Sequence, residues 1–299
     1  MSGQNSAPDR SATGAVRRAA LHHAENAERA LGSSRPSDVD VHRARKEIKK
    51  SRTALRLLRA ALPDATYRRE DAALRRAARA LNAARDARVL VRTLDSLCRR
   101  RPALGKDRAV AALSRLLRRS QAQAQRQLRD RRMVLAAART TLRQVQLRGR
   151  RWRIGRHGWS MLGPGFQHIY RAGRRAARAA QRHPDTLALH QWRKQVQYLW
   201  HALQMLRPLQ SRGHSKPGAR ARRLADCLGQ EHDLALLQST VAAYRRAKDA
   251  VTDPLQAAIE RRRRSLRAKA MASGARLYAP KPQAIAARLG RSCVRSRER

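Results

Sequence analysis

The sequence predicts an all-α protein, and three observations lead to this fold class. Hydrophobic residues make up 42% of the 299 residues but aromatic residues only 3%, so alanine and leucine dominate the apolar positions. Both residues favour helices over strands. Short stretches containing glycine, proline or aspartate divide the chain at intervals typical of helix boundaries. No stretch is rich enough in β-branched and aromatic residues to predict a strand.

The first half of the chain divides into four predicted helices. "GSSRPSD" at 32–38 contains Ser37 and Asp38, either of which is a suitable N-cap for the helix that follows. "LPD" at 62–64 and "RPALG" at 101–105 are the next two breaks. The helices predicted between these breaks cover about 12–31, 38–62, 65–100 and 106–146.

The second half repeats this arrangement after a basic, glycine-rich stretch, "RGRRWRIGRHGWSMLGPG", which predicts a linker at 148–165. "DP" at 253–254 suits the N-cap and first turn of the last helix. The four helices predicted here cover about 166–182, 186–207, 218–249 and 254–274. The predicted layout is a flexible segment 1–11, a first four-helix half 12–147, the linker 148–165, a second four-helix half 166–290 and a basic tail 291–299.

Two short sequence matches indicate that the two halves arose by internal duplication. "VHRARK" at 41–46 recurs 148 residues later as "LHQWRK" at 189–194. "LNAARDARVL" at 81–90 recurs 147 residues later as "LGQEHDLALL" at 228–237. A nearly constant offset between two separate matches is stronger evidence of a repeat than either match alone.

The charge balance favours a polyanionic partner. The chain has 69 basic and 21 acidic residues and a formal net charge of +48. Such an excess causes repulsion within the folded state and attracts anions.

The three cysteines and the absence of recognisable targeting segments favour a cytoplasmic protein. There is no second Cys or His at metal-ligand spacing from Cys98, Cys227 or Cys293, as is typical of reduced thiols in a cytoplasmic protein. We recognise neither a secretory signal nor an apolar run of the ~20 residues needed to cross a bilayer. A basic amphipathic helix is nevertheless compatible with an anionic lipid surface.

The helix predicted at 38–62 carries a row of cations beside its buried face. The apolar stripe on this helix comprises Val41, Ala44, Ile48, Ser51, Leu55 and Leu58. One position further on, about 100° around the helix, every residue is cationic or titratable: His42, Arg45, Lys49, Arg52, Arg56 and Arg59. A solvated face would mix the two signs, because like charges at i,i+4 repel. The uninterrupted row matches a linear anion with regularly spaced charges, such as a phosphate polymer.

The second half keeps the apolar stripe but loses part of the cationic row. The stripe comprises Trp192, Val196, Leu199, Leu203 and Leu206. Gln197, Trp200 and Gln204 replace three cations of the first row, and we expect Trp200 to pack rather than to stack on a ligand. The preceding helix offers substitute cations at helical spacing, Arg171, Arg174, Arg175 and Arg178. We therefore expect the first half to provide most of the binding energy.

These motifs resemble the CHAD family, the conserved histidine α-helical domain. The His-x-x-Arg-Lys helix and the "LGxxRDxxVL"-like helix that follows it both occur twice. "GFQHIYRAGRRA" at 165–176 and "ARLYAPKPQAI" at 275–285 are similar to the family's sixth helix and C-terminal segment. The resemblance covers roughly 12–290 and implies two homologous four-helix bundles related by a pseudo-twofold axis. Because the Glu-x-Glu-x-Lys motif of the triphosphate-tunnel domain found in many relatives does not occur here, we expect a stand-alone, non-catalytic binding domain.

Carried onto this chain, the resemblance implies a basic surface that binds inorganic polyphosphate. The ligands it implies are His42, Arg45, Lys46, Lys49, Lys50 and Arg52 in the first half and His190, Arg193 and Lys194 in the second. The cationic row adds Arg56, and the substitute cations Arg171, Arg174, Arg175 and Arg178 complete the expected site. We expect a cytoplasmic protein associated with polyphosphate granules, with no cofactor and no metal.

Two alternatives compete for the same residues. "EHD" at 231–233 is typical of metal ligands in phosphohydrolases, but the position equivalent to His232 is Arg85, which does not ligate metals. The repeat keeps only the acids, Asp86 and Asp233, and we expect these carboxylates to orient an arginine or the motif histidine. Non-specific binding to the phosphate backbone of DNA or RNA is the alternative function. Against it, the chain has few aromatic residues for base stacking and no recognisable helix-turn-helix.

Overall fold

The structure, a computed structural model, describes residues 11–33, 36–81, 85–130, 132–154, 158–210, 216–248 and 253–295. Within these ranges the chain is all-α, with twelve α-helices, two short 3-10 helices and no strand. The α-helices are α1 (Ala12–Ala30), α2 (Asp38–Leu57), α3 (Asp64–Ala80), α4 (Arg85–Arg100), α5 (Pro102–Lys106), α6 (Arg108–Asp130), α7 (Arg132–Arg150), α8 (Trp159–Arg182), α9 (Thr186–Leu206), α10 (Lys216–Lys248), α11 (Asp253–Tyr278) and α12 (Pro282–Arg295). The 3-10 helices, Arg59–Ala61 and Arg207–Leu209, follow α2 and α9.

The start of α2 is set by a capping box, which confirms Ser37 rather than Asp38 as the N-cap. The backbone N–H of Asp40 donates to the Ser37 hydroxyl at 3.3 Å, and the backbone N–H of Ser37 donates to the Asp40 carboxylate at 3.0 Å. This exchange satisfies donors that the first turn of a helix leaves unpaired. The capping box thus fixes the residue at which α2 begins, a few positions before the first residue of the cationic row.

The helices bury two hydrophobic cores, and each core contains residues from both predicted halves. The first core is formed by α1, α2, α3, α7, α8, α9 and α12 together with parts of α10 and α11. The second core joins α4, α5 and α6 to the later part of α10 and the earlier part of α11. Every residue of the two predicted apolar stripes, on α2 and on α9, is buried, which confirms the phase of both helices. The two halves are therefore not packed as separate bundles.

The passage between the two cores explains why the prediction of four helices in the first half was wrong. The predicted helix at 65–100 is two helices, α3 in the first core and α4 in the second, and the five-residue α5 is a further helix of this half. α6 and α7 lie where one helix was predicted at 106–146, and the position between them, 131, is outside the described ranges. Leu81, which ends α3, is 1% exposed and anchors the break in the first core. Alanine, leucine and arginine favour helix on both sides of such a break, so local propensity does not reveal it. The equivalent helix α10 passes through both cores without interruption.

The predicted linker at 148–165 is shorter in the structure, because helices take both of its ends. α7 continues to Arg150 and α8 begins at Trp159. Gly165, from this predicted linker, lies inside α8 where that helix crosses the end of α2. A Cβ at this position would lie 2.6 Å from the carbonyl oxygen of Arg56, so the close contact requires glycine. α12 is a further helix that the sequence analysis did not predict.

The spacing of the elements agrees with the offset of the sequence matches. α8 begins 147 residues after α1, α9 begins 148 residues after α2, and the two 3-10 helices also begin 148 residues apart. The duplication itself remains a prediction.

Four carboxylates are buried among the described residues, and each lies within ion-pair distance of two basic side chains. The pairs are Glu47 with His23 and Lys50, Glu70 with Arg69 and Arg148, Asp71 with Arg52 and Arg75, and Glu231 with Arg263 and Arg267. Most of these pairs join different helices, so the carboxylates link helices that carry the same charge.

We expect Gly165→Ala to lower the free energy of unfolding by about 1–3 kcal/mol, since the new methyl group meets backbone rather than a movable side chain. Gly218→Ala is the control, because a Cβ at Gly218 meets nothing within 4 Å. Urea unfolding followed by circular dichroism measures both changes. Equal stability of the two variants would contradict the close crossing of α2 and α8.

Candidate binding cleft

A cleft of about 310 Å³ lies between α2 and α9; we call it the α2–α9 cleft. Five Lys or Arg residues line it, against one carboxylate, Asp226. The cations are Arg45, Lys46, Lys49, Arg52 and Arg193. The side chains of His42, Gln197, Trp200 and His201 complete its polar and aromatic lining.

A second cleft of about 420 Å³ lies where α4 packs against α10; we call it the α4–α10 cleft. Its cations are Arg92, Arg99, Arg100, Arg193 and Arg262, and its carboxylates are Asp95 and Asp233. His42 and Arg193 line both clefts, so the clefts adjoin at these two side chains. Both belong to the repeated His-x-x-Arg-Lys motif, one from each half.

The structure therefore brings six of the predicted ligands together in one cleft: His42, Arg45, Lys46, Lys49, Arg52 and Arg193. Four of the cations of the α4–α10 cleft were not predicted. Arg92, Arg99 and Arg100 lie on α4, and their spacing puts them on one side of that helix. This spacing is the sequence pattern from which they could have been predicted. Arg262 comes from α11, more than 150 residues away in sequence, and no local pattern connects it to α4.

Lys50 is one of the predicted ligands that line neither cleft, and its partners show why. Its ammonium group lies 2.7 Å from a carboxylate oxygen of Glu47, and the other Glu47 oxygen lies 2.6 Å from Nδ1 of His23 on α1. Burial opposes ionisation of Glu47, but the hydrogen bonds from His23 and Lys50 outweigh it and lower the pKa of Glu47 to about 2. Lys50 is thus committed to the α1–α2 contact.

Arg52 lines the α2–α9 cleft, but a buried acid holds its guanidinium group. Nε and Nη2 of Arg52 donate to the same oxygen of Asp71 at 3.0 Å and 2.9 Å. Arg75 lies 3.2 Å from the other Asp71 oxygen. The orienting role was predicted for Asp86 and Asp233, and no sequence pattern pointed to Asp71. A half-neutralised Arg52 contributes less to an anion site than its formal charge suggests.

Lys49 contacts Gln197, the residue that the sequence repeat aligns with it in the second half. Its ammonium group donates to the side-chain carbonyl of Gln197 at 2.6 Å, and the two residues are 148 positions apart. A contact between equivalent positions is what a twofold axis through the α2–α9 contact would produce. A lysine at position 197 would place a second ammonium group beside that of Lys49, and the two would repel each other.

Trp200 and His201 form the wall of the cleft on the α9 side. Their rings lie 4.7 Å apart and 28° from parallel. Trp200 is half-buried and packs against the first core, as predicted, although one face also lines the cleft. His201 is 3% exposed, and its burial, with the nearby ammonium groups of Lys49, Lys50 and Lys46, lowers its pKa to about 4.

A second group of cations continues the row past the cleft. The guanidinium group of Arg56 lies 4.3 Å from the ring centroid of Tyr198, and Arg59 lies 5.1 Å from that of Tyr67. Burial lowers the pKa of His168 on α8, and nearby Arg59, Arg56, Arg175 and Arg171 lower it further. Two of the four substitute cations therefore lie near the end of the α2 row.

The other predicted ligands are distributed around these groups. Burial lowers the pKa of Lys194, and the neighbouring Arg52, Arg56 and Arg75 lower it further. Arg174 lies one helical turn after Tyr170 on α8, where its charge acts on the Tyr170 hydroxyl. Arg178 is exposed, and neither arginine lines a cleft.

His232, from the "EHD" stretch that resembles metal ligands, lies beside the predicted ligand His190. The rings of His190 and His232 are 4.7 Å apart, and Asp233 lines the α4–α10 cleft. Asp86 lies within α4, but its side chain is outside the described part of the structure. In the ranges that the structure describes, no three His, Cys, Asp or Glu side chains are grouped as metal ligands would be.

No described helix is long and apolar enough to span a membrane.

Comparison with known proteins agrees with this all-α architecture and its repeated histidine motif. The family model of the CHAD domain matches residues 15–242. The crystal structure of the CHAD domain from the plant Ricinus communis superposes with a TM-score of 0.53 at 18% sequence identity, over 94% of this chain and 92% of that chain. A search of curated proteins gives no match. The chain belongs to the CHAD family.

The low pKa of His201 has a consequence for stability. An unfolded histidine titrates near pH 6.5, so between pH 6.5 and pH 4 the unfolded chain binds a proton that the folded chain does not. His201 therefore lowers the free energy of unfolding as the pH falls through this window, by about 3 kcal/mol at most. We expect His201→Gln to remove this part of the pH dependence in urea unfolding, whereas the exposed His22→Gln keeps it. The same pH profile in both variants would contradict the assignment.

Proposed function

We propose that this chain binds inorganic polyphosphate, without catalysis, along one track formed by the α2–α9 and α4–α10 clefts. The observation that carries the proposal is that His42 and Arg193 line both clefts. Each cleft has five Lys or Arg residues and Arg193 is common to both, so the track carries nine cations. The CHAD family is associated with polyphosphate binding, which supports the same ligand.

The charges along the track favour a polymer over a single phosphate. Its three carboxylates are fewer than its cations, and one of them, Asp95, is 2.9 Å from Arg118, which lies outside the lining. Arg45 and Arg52 are separated by about 10 Å along the axis of α2, at the helical rise of about 1.5 Å per residue. One phosphate cannot contact cations at both ends of such a span, whereas a linear polymer contacts them at the same time.

The proposal extends to cytoplasmic polyphosphate granules as the setting in which the chain acts. The support is the net charge of +48, which favours accumulation on a dense polyanion. The three free cysteines suit a reducing compartment.

Arg193→Ala tests the junction of the two clefts. A hydrogen bond to a charged group is worth about 1.5–3 kcal/mol, so we expect affinity for long-chain polyphosphate to fall about tenfold to a hundredfold. Lys50→Ala removes the same charge from a position outside the clefts and is expected to leave the affinity nearly unchanged. Titration calorimetry at constant salt concentration measures both variants.

The comparison with Arg45→Ala decides between the structure and the sequence-based expectation. The sequence favoured a larger loss at Arg45, in the first half. The structure places Arg45 in one cleft and Arg193 in both, so we now expect the loss at Arg193 to be at least as large. A loss at Lys50 equal to that at Arg193 would show that binding depends on total charge and not on the track.

Nucleic acid is the second candidate ligand, and Trp200 is the observation that favours it. Part of this side chain lines the α2–α9 cleft beside four cations of α2. Single-stranded nucleic acids bind to proteins by combining cationic grooves with aromatic side chains on which bases stack. Polyphosphate has no bases and gains nothing from such stacking.

Trp200→Leu separates the two candidates. A stacked base contributes about 1–3 kcal/mol, so a nucleic-acid protein would lose affinity for single-stranded DNA by about fivefold or more. We expect instead that polyphosphate binding is unchanged and that polyphosphate displaces labelled DNA from both forms of the protein at physiological salt. Circular dichroism serves as the control for folding, because Trp200 also packs against the first core.

A further inference from the structure

A third basic pocket, of about 320 Å³, lies between the start of α3 and the end of α7. We call it the α3–α7 pocket. It shares no lining residue with either cleft, and no residue of the predicted site lines it. Its polar lining consists of four arginines, Arg69, Arg148, Arg151 and Arg153, together with Thr66 and the indole of Trp152.

The arginines carry more positive charge than their surroundings neutralise. Arg148 donates two hydrogen bonds of 2.8 Å to the buried Glu70, and Arg69 donates a third at 3.0 Å. Glu70 therefore fixes two guanidinium groups at the pocket and cancels one charge. Arg151 and Arg153 are exposed and make no ion pair with any described residue, so the pocket keeps a net charge of about three.

Backbone donors at the start of α3 also favour an anion. α3, which is 17 residues long, begins after Pro63 with no side-chain cap, so its first-turn N–H groups have no side-chain acceptor. By contrast, Arg17 donates to the backbone carbonyls of Arg150 and Trp152 at the opposite end of the pocket. Trp152 is 6% exposed, and its buried Nε1 has no acceptor among the described residues.

We propose that the α3–α7 pocket binds a phosphate group, separately from the two clefts. The planar guanidinium groups of Arg151 and Arg153 match the oxygens of a phosphate, and Arg148, held by Glu70, adds positive charge beside them. The Thr66 hydroxyl and the α3 amides supply neutral donors, and Trp152 forms an apolar wall that limits access of water. The phosphate comes either from free orthophosphate or from the end of a polyphosphate chain. This site does not depend on polymer binding in the clefts.

The four tryptophan indoles provide separate reporters for the pocket and the clefts. We would label the full chain with ¹⁵N-tryptophan, assign the indole signals of Trp152 and Trp200 with Trp152→Phe and Trp200→Leu, and titrate with orthophosphate and then with long-chain polyphosphate. We expect the Trp152 signal to shift and to saturate with orthophosphate. Arg151→Glu/Arg153→Glu should raise the midpoint of this shift at least tenfold. Arg261→Glu/Arg264→Glu, the same charge change at exposed positions of α11, should not.

The two proposals fail in different ways in this experiment. A Trp152 signal that does not move with either ligand, or moves equally in the two double variants, overturns the pocket. A Trp152 shift with the polymer alone supports the pocket and identifies its ligand as the polymer end. A Trp200 signal that ignores the polymer while Trp152 responds contradicts the clefts but not the pocket. Both arginines are exposed, so the charge reversals should leave the fold intact, and the other indole signals check this.

Discussion

The buried ion pairs hold together a fold whose helices repel one another. With 69 basic residues in 299, helices of like charge pack against one another. Glu47, Glu70, Asp71 and Glu231 offset this repulsion at four helix contacts, and each forms ion pairs with two basic side chains. A buried carboxylate costs free energy to desolvate, and two donors compensate that cost better than one. These four acids also select which cations remain available to a ligand.

The sequence was sufficient to predict the secondary structure and the phase of the helices that carry the site. The apolar stripes of α2 and α9 are determined by local periodicity, and both are buried as predicted. The end of α3 at Ala80 could not be predicted, because it depends on which core each segment joins. A local pattern contains no information about that choice.

The sequence predicted those residues of the candidate site that belong to a periodic pattern on one helix or to the repeated motif. Four cations of α2 and the motif arginine Arg193 line a common cleft, as the cationic row and the repeat suggested. The exclusion of Lys50 depends on a histidine of α1, and the restraint on Arg52 depends on an acid of α3. Spacing along α2 cannot distinguish these lysines and arginines from their neighbours, since all lie on one continuous basic surface. Gln197 differs from Lys49 for a reason that is visible only when the two are seen in contact.

The continuity of α10 has a consequence for how the molecule responds to a ligand. α10 passes through both cores and lines both clefts, through Asp226 in the first and through Gln230 and Asp233 in the second. The other side of the track is formed by two separate helices, α2, which belongs to the first core, and α4, which belongs to the second. A ligand that occupies both clefts connects these two helices across the break. Bound polymer would thereby add a link between the two cores on the side of the track where the chain itself provides none, and would make the opening of one core depend more strongly on that of the other.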